Sequence, residues 1–159
     1  MPSPEVSLRP VQPEDLDIYF ENNRDPEAVQ MAAFTAKDPD DREAFDAHWA
    51  RIMASETVII RTIEYGGRVA GSILKYEMEG DAEVSYWIGR EFWGKGIATA
   101  ALRQFIEELA VRPLYGRAAY DNLGSMRVLE KCGFERAGTD RYFANARDEE
   151  IEEIVYILN

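Results

Sequence analysis

Three glycines interrupt the stretch YWIGREFWGKGIATAAL, residues 86–102, where an aromatic run passes into an alanine-rich helical pattern. Glycine loses more conformational freedom on folding than any other residue. Gly89, Gly94 and Gly96 together therefore indicate a backbone that bends sharply or that something approaches closely. The chain must place the end of a strand beside the start of a helix here, which limits the folds that the rest of the sequence can adopt.

Apolar spacing makes the first third of the chain mainly helical. VSLRPV (6–11) alternates and predicts a first strand, after which apolar residues recur at helical spacing. Pro13 and the acidic residues after it are typical of a helix start. The predicted helices in this part are one that begins at Pro13 and two more at 25–34 and 41–53.

Alternating patterns then predict three strands, at 57–65, 68–78 and 82–89. Gly66 and Gly67 mark a tight hairpin between the first two, so the three strands form an antiparallel meander. The remaining predicted elements are a helix at 95–110, a strand at 113–120, a helix at 122–133 and strands at 134–143 and 150–158.

The element order predicts a single α+β domain over residues 1–159. We expect a mixed, mostly antiparallel central sheet of about six or seven strands, with helices on both faces.

The net charge of −12 limits the partners of the chain. Nucleic-acid binding draws on clustered Lys and Arg, so we expect no nucleic-acid partner. Acid concentrates in residues 1–50, which hold twelve Asp and Glu against four Lys and Arg, and in DEEIEE (148–153). This acidity is either a solvated, repelling surface or a means of attracting a cationic substrate such as an amine.

Several sequence features that are missing or rare limit the cellular compartment of the protein and its capacity to bind metal. The sequence has no run of about 18 apolar residues, and its first ten residues lack the parts of a secretory leader. Cys132 is the only cysteine, which suits a reducing compartment. With His48 as the only histidine, no zinc ligand set is present. We therefore expect a cytoplasmic protein with no membrane partner and no metal.

The loop REFWGKGIAT (90–99) has the form of a phosphate-binding helix start. The first N–H groups of a helix have no internal partner, and Lys95 adds a cation. The loop is not a Walker loop, because Gly96 follows Lys95, and Thr99 stands where a dinucleotide fingerprint has Gly or Ala. A helix start needs some turn in any case, so phosphate binding and simple chain reversal both remain open.

A second pattern lies in YDNLGSMRVLEKCGFERAG (120–138), where Asn122 follows a predicted strand and Ser125 comes three residues later. Asn122 suits a helix N-cap, in which case Ser125 is incidental. Residues three apart also share one helix face, so both side chains can point into one cleft.

Taken together, AEVSYWIGREFWGKGIATAAL (82–102) and NLGSMRVLEKCGFE (122–135) resemble two motifs of the GNAT (Gcn5-related) N-acetyltransferase superfamily. The likeness is greatest to the branch that acetylates the N-termini of ribosomal proteins. The opening LRPVQPEDL (8–16) and the element order fit as well, so the resemblance covers essentially the whole chain. It implies a GNAT-like fold with a splayed cleft that binds acetyl-CoA as co-substrate.

The resemblance also implies a set of site residues. Backbone groups at the end of the fourth strand would pair with pantetheine, and loop amides would hold the pyrophosphate. Asn122 would bind the pantetheine arm or order the acetyl end. Ser125 would lie near the thioester sulfur. The predicted cofactor residues are Trp87, Ile88, Gly89, Trp93, Gly94, Lys95, Gly96, Ile97, Ala98, Thr99, Asn122 and Ser125, and the predicted catalytic residues are Ser125, Asn122 and Glu83.

The sequence departs from the pattern of the family at two positions. Glu91 stands where the loop usually has Gln or Arg, with Arg90 one residue early, so help from that side chain to a phosphate is in doubt. Leu129 stands where many members have a tyrosine that protonates the leaving thiolate. The acid role then passes to Ser125.

Acyl transfer to an amine needs a group that takes a proton, since the amine is mostly ammonium at neutral pH. Glu83 is the candidate base, although it could equally be a strand-end carboxylate in solvent. His48 fits packing or surface better than a base. Trp87 and Trp93 lie at the cleft by position but could belong to the core. A further aromatic, Tyr120, is expected to be a wall residue.

The predicted function is acetyl-CoA-dependent N-acetyl transfer to a primary amine, directly and within a ternary complex. The acceptor would be a protein N-terminus or a small amine such as a polyamine, an amino acid or an aminoglycoside. The alternative is an acyl-CoA-binding sensor or interaction module with weak turnover, and a homodimer is left open. The acceptor loops at about 30–40 and 140–150 show no pattern that identifies the amine.

Overall fold

One seven-stranded sheet runs through the molecule. The structure is a computed structural model that describes residues 5–159. Residues 1–4, on which part of the expectation about a leader rests, lie outside the described residues. The strands are β1 (Val6–Arg9), β2 (Ile59–Tyr65), β3 (Arg68–Met78), β4 (Asp81–Ile88), β5 (Leu114–Ala119), β6 (Glu135–Ala144) and β7 (Glu149–Leu158).

The strand order is β1-β2-β3-β4-β5-β7-β6, and all neighbours are antiparallel except β4 and β5. The predicted meander of β2, β3 and β4 is confirmed, as is the mixed, mostly antiparallel sheet. The pairing of β1 with β2 and the parallel contact of β4 with β5 join segments far apart in the chain. No local pattern could have predicted those two pairings.

Five helices accompany the sheet in the described residues, and their caps explain where they begin. They are α1 (Asp15–Asn22), α2 (Pro26–Ala32), α3 (Arg42–Ala54), α4 (Ile97–Leu109) and α5 (Leu123–Lys131). The side chains of Asp25, Asp41 and Asn122 accept bonds from first-turn amides of α2, α3 and α5. Helix α4 instead starts from Gly96 and has no side-chain cap.

Both faces of the sheet are covered by helices, as predicted. Neighbouring residues of β3 show the division, because Ile73 packs into a core with Ile97 and Phe105 of α4, whereas Leu74 packs near Trp49 of α3. Helix α5 joins the first core through Leu129. The sheet thus separates a face covered by α4 and α5 from a face covered by α1 and α3.

The predicted element boundaries are right to within a few residues. The helix predicted from 95 begins at Ile97, because Gly94 and Gly96 have φ angles of 76° and 75°, outside the helical range. The strand predicted to reach 11 ends at Arg9, before Pro10, which has no N–H to donate. Among the described residues, no helix combines the length and the hydropathy needed to span a membrane.

Candidate active site

Strands β4 and β5 are paired along only part of their length. They pair only from Ala82 to Val84 on β4 and from Leu114 to Gly116 on β5, although β4 continues to Ile88. Beyond this point the two strands diverge, and a gap opens through the sheet. The gap connects a groove on the α4 side with a cavity on the α3 side.

The groove, here named the glycine-loop groove, has a volume of about 710 Å³ and lies between the end of β4, the start of α4 and helix α5. Ten of the twelve predicted cofactor residues line it, and only Gly89 and Lys95 do not. The ten are Trp87, Ile88, Trp93, Gly94, Gly96, Ile97, Ala98, Thr99, Asn122 and Ser125.

The glycines of the loop are required by their backbone conformation. Gly94 and Gly96 both have a positive φ, which L side chains rarely adopt, and a Cβ at either position would meet nothing within 4 Å. Crowding by the protein is therefore not the reason for glycine here. The open space leaves the uncapped N–H groups at the start of α4 accessible to a ligand.

The two predicted cofactor residues that do not line the groove have other surroundings. Gly89 is buried, and its N–H donates to the carbonyl oxygen of Ala70 on β3 at 2.9 Å. Lys95 is exposed beside the loop. A third predicted group, the carbonyl of Ile88, already accepts a bond from the Trp93 indole at 2.9 Å.

The departures at Arg90 and Glu91 have structural explanations. Arg90 pairs with Asp25 and Glu27, which ties the loop to α2. Glu91 pairs with Arg68 of β3 at 3.1 Å on an exposed surface. Neither side chain lines the glycine-loop groove, so neither replaces the family's usual side chain at this loop.

Several residues that were not predicted from the sequence line the same groove. Arg127 and Lys131 of α5 are four apart on one helix face and place two cations there. Met31 of α2 and Leu123 of α5 are exposed apolar side chains that line it as well. The four-residue spacing of the two cations was visible in the sequence, but only the fold shows that it faces the groove.

Asn122, Ser125 and Tyr86 lie close together beside the gap. The Asn122 side-chain oxygen accepts a bond from the Ser125 N–H at 3.2 Å, so Asn122 does cap α5. The Tyr86 hydroxyl lies 2.8 Å from the Ser125 hydroxyl and 3.3 Å from the Ser125 carbonyl oxygen. Tyr86 lies within the motif at 82–102 but was not among the residues predicted from it.

The second hollow, here named the aromatic cavity, has a volume of about 490 Å³ and lies on the α3 side of the sheet. Its walls come mainly from α1, α3, the segment between α2 and α3, and strands β3, β4, β5 and β7, with the end of α2 and the start of α5 at one side. Aromatic side chains dominate these walls, among them Phe34, Phe45, Trp49, Tyr76, Tyr86 and Trp87.

The candidate base Glu83 is neither in solvent nor on the wall of the aromatic cavity. It is 2% exposed, and its two carboxylate oxygens accept bonds from the Arg117 Nε at 2.9 and 3.2 Å. The Arg117 Nη1 also donates to Asp140 at 2.7 Å and to Glu153 at 3.1 Å. Three carboxylates thus share one guanidinium, with Glu83, Asp140 and Glu153 coming from three different strands.

Glu153 is the carboxylate of this network that lines the aromatic cavity. Burial raises the pKa of Glu153 above its usual value, and the hydrogen bond from Arg117 offsets this only in part. His48 lies at the exposed rim of the same cavity, where partial burial and nearby Arg51 lower the pKa of the imidazole. The shift makes Glu153 a stronger proton acceptor than an ordinary carboxylate, whereas it makes the His48 imidazole a weaker one.

The predicted acceptor loops have different roles in the structure. Segment 34–39 lines the aromatic cavity, whereas 140–150 does not. The second loop instead supports the first, because the Asn145 side-chain amide donates to the Thr35 carbonyl at 2.8 Å, and the Arg147 guanidinium to the Gln30 carbonyl at 2.8 Å. Tyr120, expected as a wall residue, is exposed and lines neither hollow.

The glycine-loop groove and the aromatic cavity share five lining residues, which are Ala32, Tyr86, Trp87, Asn122 and Ser125. The indole N–H of Trp87 is buried without a hydrogen-bond partner in the described residues. The junction therefore offers two hydroxyls and a side-chain amide. Such a set can orient a carbonyl group and move protons. Within residues 5–159, no group of His, Cys, Asp and Glu could hold a metal ion.

The comparisons with known proteins agree with this arrangement. Residues 5–135 match the sequence profile of the family described as "Acetyltransferase (GNAT) domain". The putative ribosomal N-acetyltransferase YdaF of Bacillus subtilis strain 168 is 31% identical over 151 residues, which cover 86% of this chain and 81% of that protein.

Two solved structures show the same fold. RimJ of Mycobacterium smegmatis, in complex with CoA-disulfide, superposes with a TM-score of 0.82 at 20% identity, over 96% of this chain and 81% of that one. Spermidine N-acetyltransferase of Vibrio cholerae, in complex with CoA and spermine, has a TM-score of 0.76 at 18% identity, over 96% and 95% of the two chains. On the match of residues 5–135, the chain belongs to the GNAT family of acetyltransferases.

Proposed function

We propose that residues 1–159 form a single N-acetyltransferase domain that moves an acetyl group from acetyl-CoA to a primary amine, directly and within a ternary complex. The observation that carries this proposal is the gap between β4 and β5, where the glycine-loop groove and the aromatic cavity meet. Two substrates bound from opposite faces of the sheet would bring their reacting groups together there, which is how proximity lowers a barrier.

The residues of the glycine-loop groove suit acetyl-CoA, which supplies an acetyl group activated as a thioester. The first amides of α4 have no side-chain cap and would hold pyrophosphate oxygens. Arg127 and Lys131 would pair with phosphate charge, and Met31 and Leu123 would cover the apolar part of the pantetheine arm. The exposure of these two apolar side chains is explained if a ligand covers them.

Ser125 would give a proton to the leaving sulfur, as expected from the sequence. Its hydroxyl lies in the first turn of α5 at the junction of the two hollows, and the Asn122 cap fixes that turn. The side-chain amide nitrogen of Asn122 would donate to the pantetheine arm or the acetyl oxygen.

Two carboxylates, Glu83 and Glu153, are candidates for the base that takes the first proton from the ammonium group. Glu83, the base predicted from the sequence, is bound through both oxygens to Arg117. Glu153 belongs to the same network, lines the aromatic cavity and holds its proton to a higher pH than usual. On geometry we favour Glu153.

Charge around the aromatic cavity supports a cationic acceptor. Asp38, Asp41 and Glu153 line it, against one cation, Arg117. An ammonium group would be attracted to such a site, and its flexible chain could lie along the aromatic walls. A polyamine, another small amine and a protein N-terminus all fit this description. The cytoplasmic location and the homodimer remain predictions.

The test is product formation with acetyl-CoA and a panel comprising spermidine, an aminoglycoside, a free amino acid and a short peptide with a free N-terminus. We expect acetylation of at least one member, with a kcat/KM for cationic members that falls as salt rises. Binding of CoA by calorimetry without acetylation of any amine would favour the alternative, a sensor or interaction module. Failure to bind CoA at all would reject both.

A further inference from the structure

Two hydroxyls link the hollows through the sheet. Tyr86 projects from β4 into the gap, Ser125 stands in the first turn of α5, and their oxygens are 2.8 Å apart. Both residues line the aromatic cavity and the glycine-loop groove. A hydroxyl both donates and accepts a hydrogen bond, so this pair can pass a proton from one side to the other.

We propose that Tyr86 and Ser125 form a proton relay that carries a proton from the amine nitrogen in the aromatic cavity to the sulfur in the glycine-loop groove. The inference rests on the proposed function and adds Tyr86 to its machinery. Tyr86 receives the proton on the acceptor side, and Ser125 delivers one on the cofactor side.

The atoms balance without any further reactant. The amine nitrogen forms a bond to the acetyl carbon, the C–S bond of the thioester breaks, and sulfur keeps the electron pair. The nitrogen proton passes to the Tyr86 oxygen while Tyr86 gives its own proton to Ser125 and Ser125 gives its proton to sulfur. Each hydroxyl is neutral before and after, and an N–H bond has been exchanged for an S–H bond.

The surroundings of Tyr86 suit a relay. Burial raises the pKa of Tyr86 well above its usual value, so the phenol stays protonated at physiological pH. A titratable group that acts on it is Cys132, which follows α5 and whose pKa burial also raises, so that the thiol is neutral. Leu129, at the position where many GNAT members have a tyrosine, is buried and has no proton to give.

The main test compares Tyr86→Phe with Tyr156→Phe, using the best amine of the panel. Tyr156 is a matched control because it is a buried tyrosine whose hydroxyl also bonds to α5, donating to Glu130 at 2.8 Å, and it lines neither hollow. We expect Tyr86→Phe to lower kcat by roughly 10- to 100-fold, with the Kd for CoA within about twofold, because general acid catalysis is lost and binding is not. Tyr156→Phe should change kcat by less than about threefold.

A solvent isotope experiment separates a relay from a structural role. With the wild type, kcat in mixtures of light and heavy water should give a curved proton inventory, because more than one proton moves in the same step. Tyr86→Phe and Ser125→Ala should each make the inventory linear. If Tyr86→Phe does not fold, the Ser125→Ala inventory alone decides, since a curved inventory in that variant overturns the relay.

A binding measurement gives a second readout that needs no turnover. The thiol of CoA bound to the protein can be titrated by thiolate absorbance, with the spectrum of the free protein subtracted to remove Cys132. The Ser125 hydroxyl beside the sulfur, polarised by its hydrogen bond to Tyr86, stabilises the thiolate, so the thiol pKa should rise in both Tyr86→Phe and Ser125→Ala. An unchanged thiol pKa in both variants, or an unchanged kcat in Tyr86→Phe, overturns the relay. A wild type that acetylates no amine overturns the proposed function instead.

Discussion

The glycine-loop groove and the aromatic cavity are built in different ways. The groove is formed mainly by two short chain segments, 86–99 and 121–131, and it includes the uncapped backbone amides at the start of α4. The cavity is formed mainly by side chains from α1, α3, segment 34–39 and four strands, and two of its charges, Arg117 and Glu153, pair with each other. A backbone site suits a ligand that is the same throughout a family, whereas a side-chain site can change from member to member.

The largest effect should come from Gly96→Val, which tests whether the groove depends on backbone. A β-branched residue is strained at the φ of 75° and would turn the first amides of α4 away. We expect the Kd for CoA to rise roughly 100-fold, equivalent to the loss of one or two charge-assisted hydrogen bonds. Isothermal titration calorimetry measures this.

Gly80→Val is the matched control for backbone strain. Gly80 has a φ of 87°, a Cβ there would meet nothing within 4 Å, and it lies in the turn between β3 and β4. The two variants should lose similar stability in urea unfolding, but only Gly96→Val should lose CoA binding. Equal CoA affinity in both variants would mean that the α4 amides do not hold the ligand.

The next effect distinguishes the two carboxylates on the cavity side. If Glu153 takes the proton, Glu153→Gln should lower kcat/KM at neutral pH by roughly tenfold or more. It should also flatten the rising limb of the pH–rate profile. That limb exists because a base acts only when deprotonated, and the raised pKa of Glu153 moves it toward neutral pH. Steady-state rates over a pH series measure it.

Two further substitutions make this comparison decisive. Glu152→Gln changes the neighbouring carboxylate of β7, which is exposed on the opposite face, and should leave the profile unchanged. Glu83→Gln should keep the limb if Glu83 only holds Arg117. Loss of the limb in Glu83→Gln, but not in Glu153→Gln, would restore the assignment made from the sequence.

These two regions also show how far the sequence could be interpreted. The groove was largely predictable, because its glycines, helix start and Asn122 lie in two contiguous motifs with a recognisable order. The fold followed from the same order together with the apolar spacing. Even there, burial of Gly89 and the Trp93 contact with the Ile88 carbonyl depend on packing that no motif describes.

The cavity was much less predictable, since its groups meet only through the sheet. Glu83 was singled out by its place on β4, but its partner Arg117 is 34 residues away, and Glu153 comes from the last strand. Tyr86 lies within the recognised motif at 82–102. Its contact with Ser125, however, joins residues 39 apart in the chain and depends on the divergence of β4 and β5. The local sequence pattern does not specify which residues of distant strands lie opposite each other.

A smaller effect should come from the two cations of the groove. Arg127→Ala and Lys131→Ala should each raise the Kd for CoA by roughly three- to tenfold, and the effect should shrink as salt increases, because exposed ion pairs are weak and screened. The KM for the amine should not change. Arg136→Ala, at an exposed position on β6, is the control. Salt-independent effects would point to packing rather than charge.

The smallest effect concerns stability and again involves Glu153. Because its folded-state pKa is raised, the folded protein holds this proton more tightly than the unfolded chain. That stabilisation is complete below the ordinary pKa of Glu and is lost as pH rises through the raised value. Glu153→Gln removes this loss, so its stability relative to the wild type should improve as pH rises across that window. Urea unfolding at several pH values would detect it, and a difference independent of pH would contradict it.

The central claim is that two substrates meet at the gap between β4 and β5 and react without passing the acetyl group to the enzyme. Initial rates measured with acetyl-CoA and the best amine varied together test this most directly. We predict double-reciprocal lines that intersect, and an enzyme mass that stays unchanged after incubation with acetyl-CoA alone. Parallel lines together with an acetylated enzyme would contradict the account.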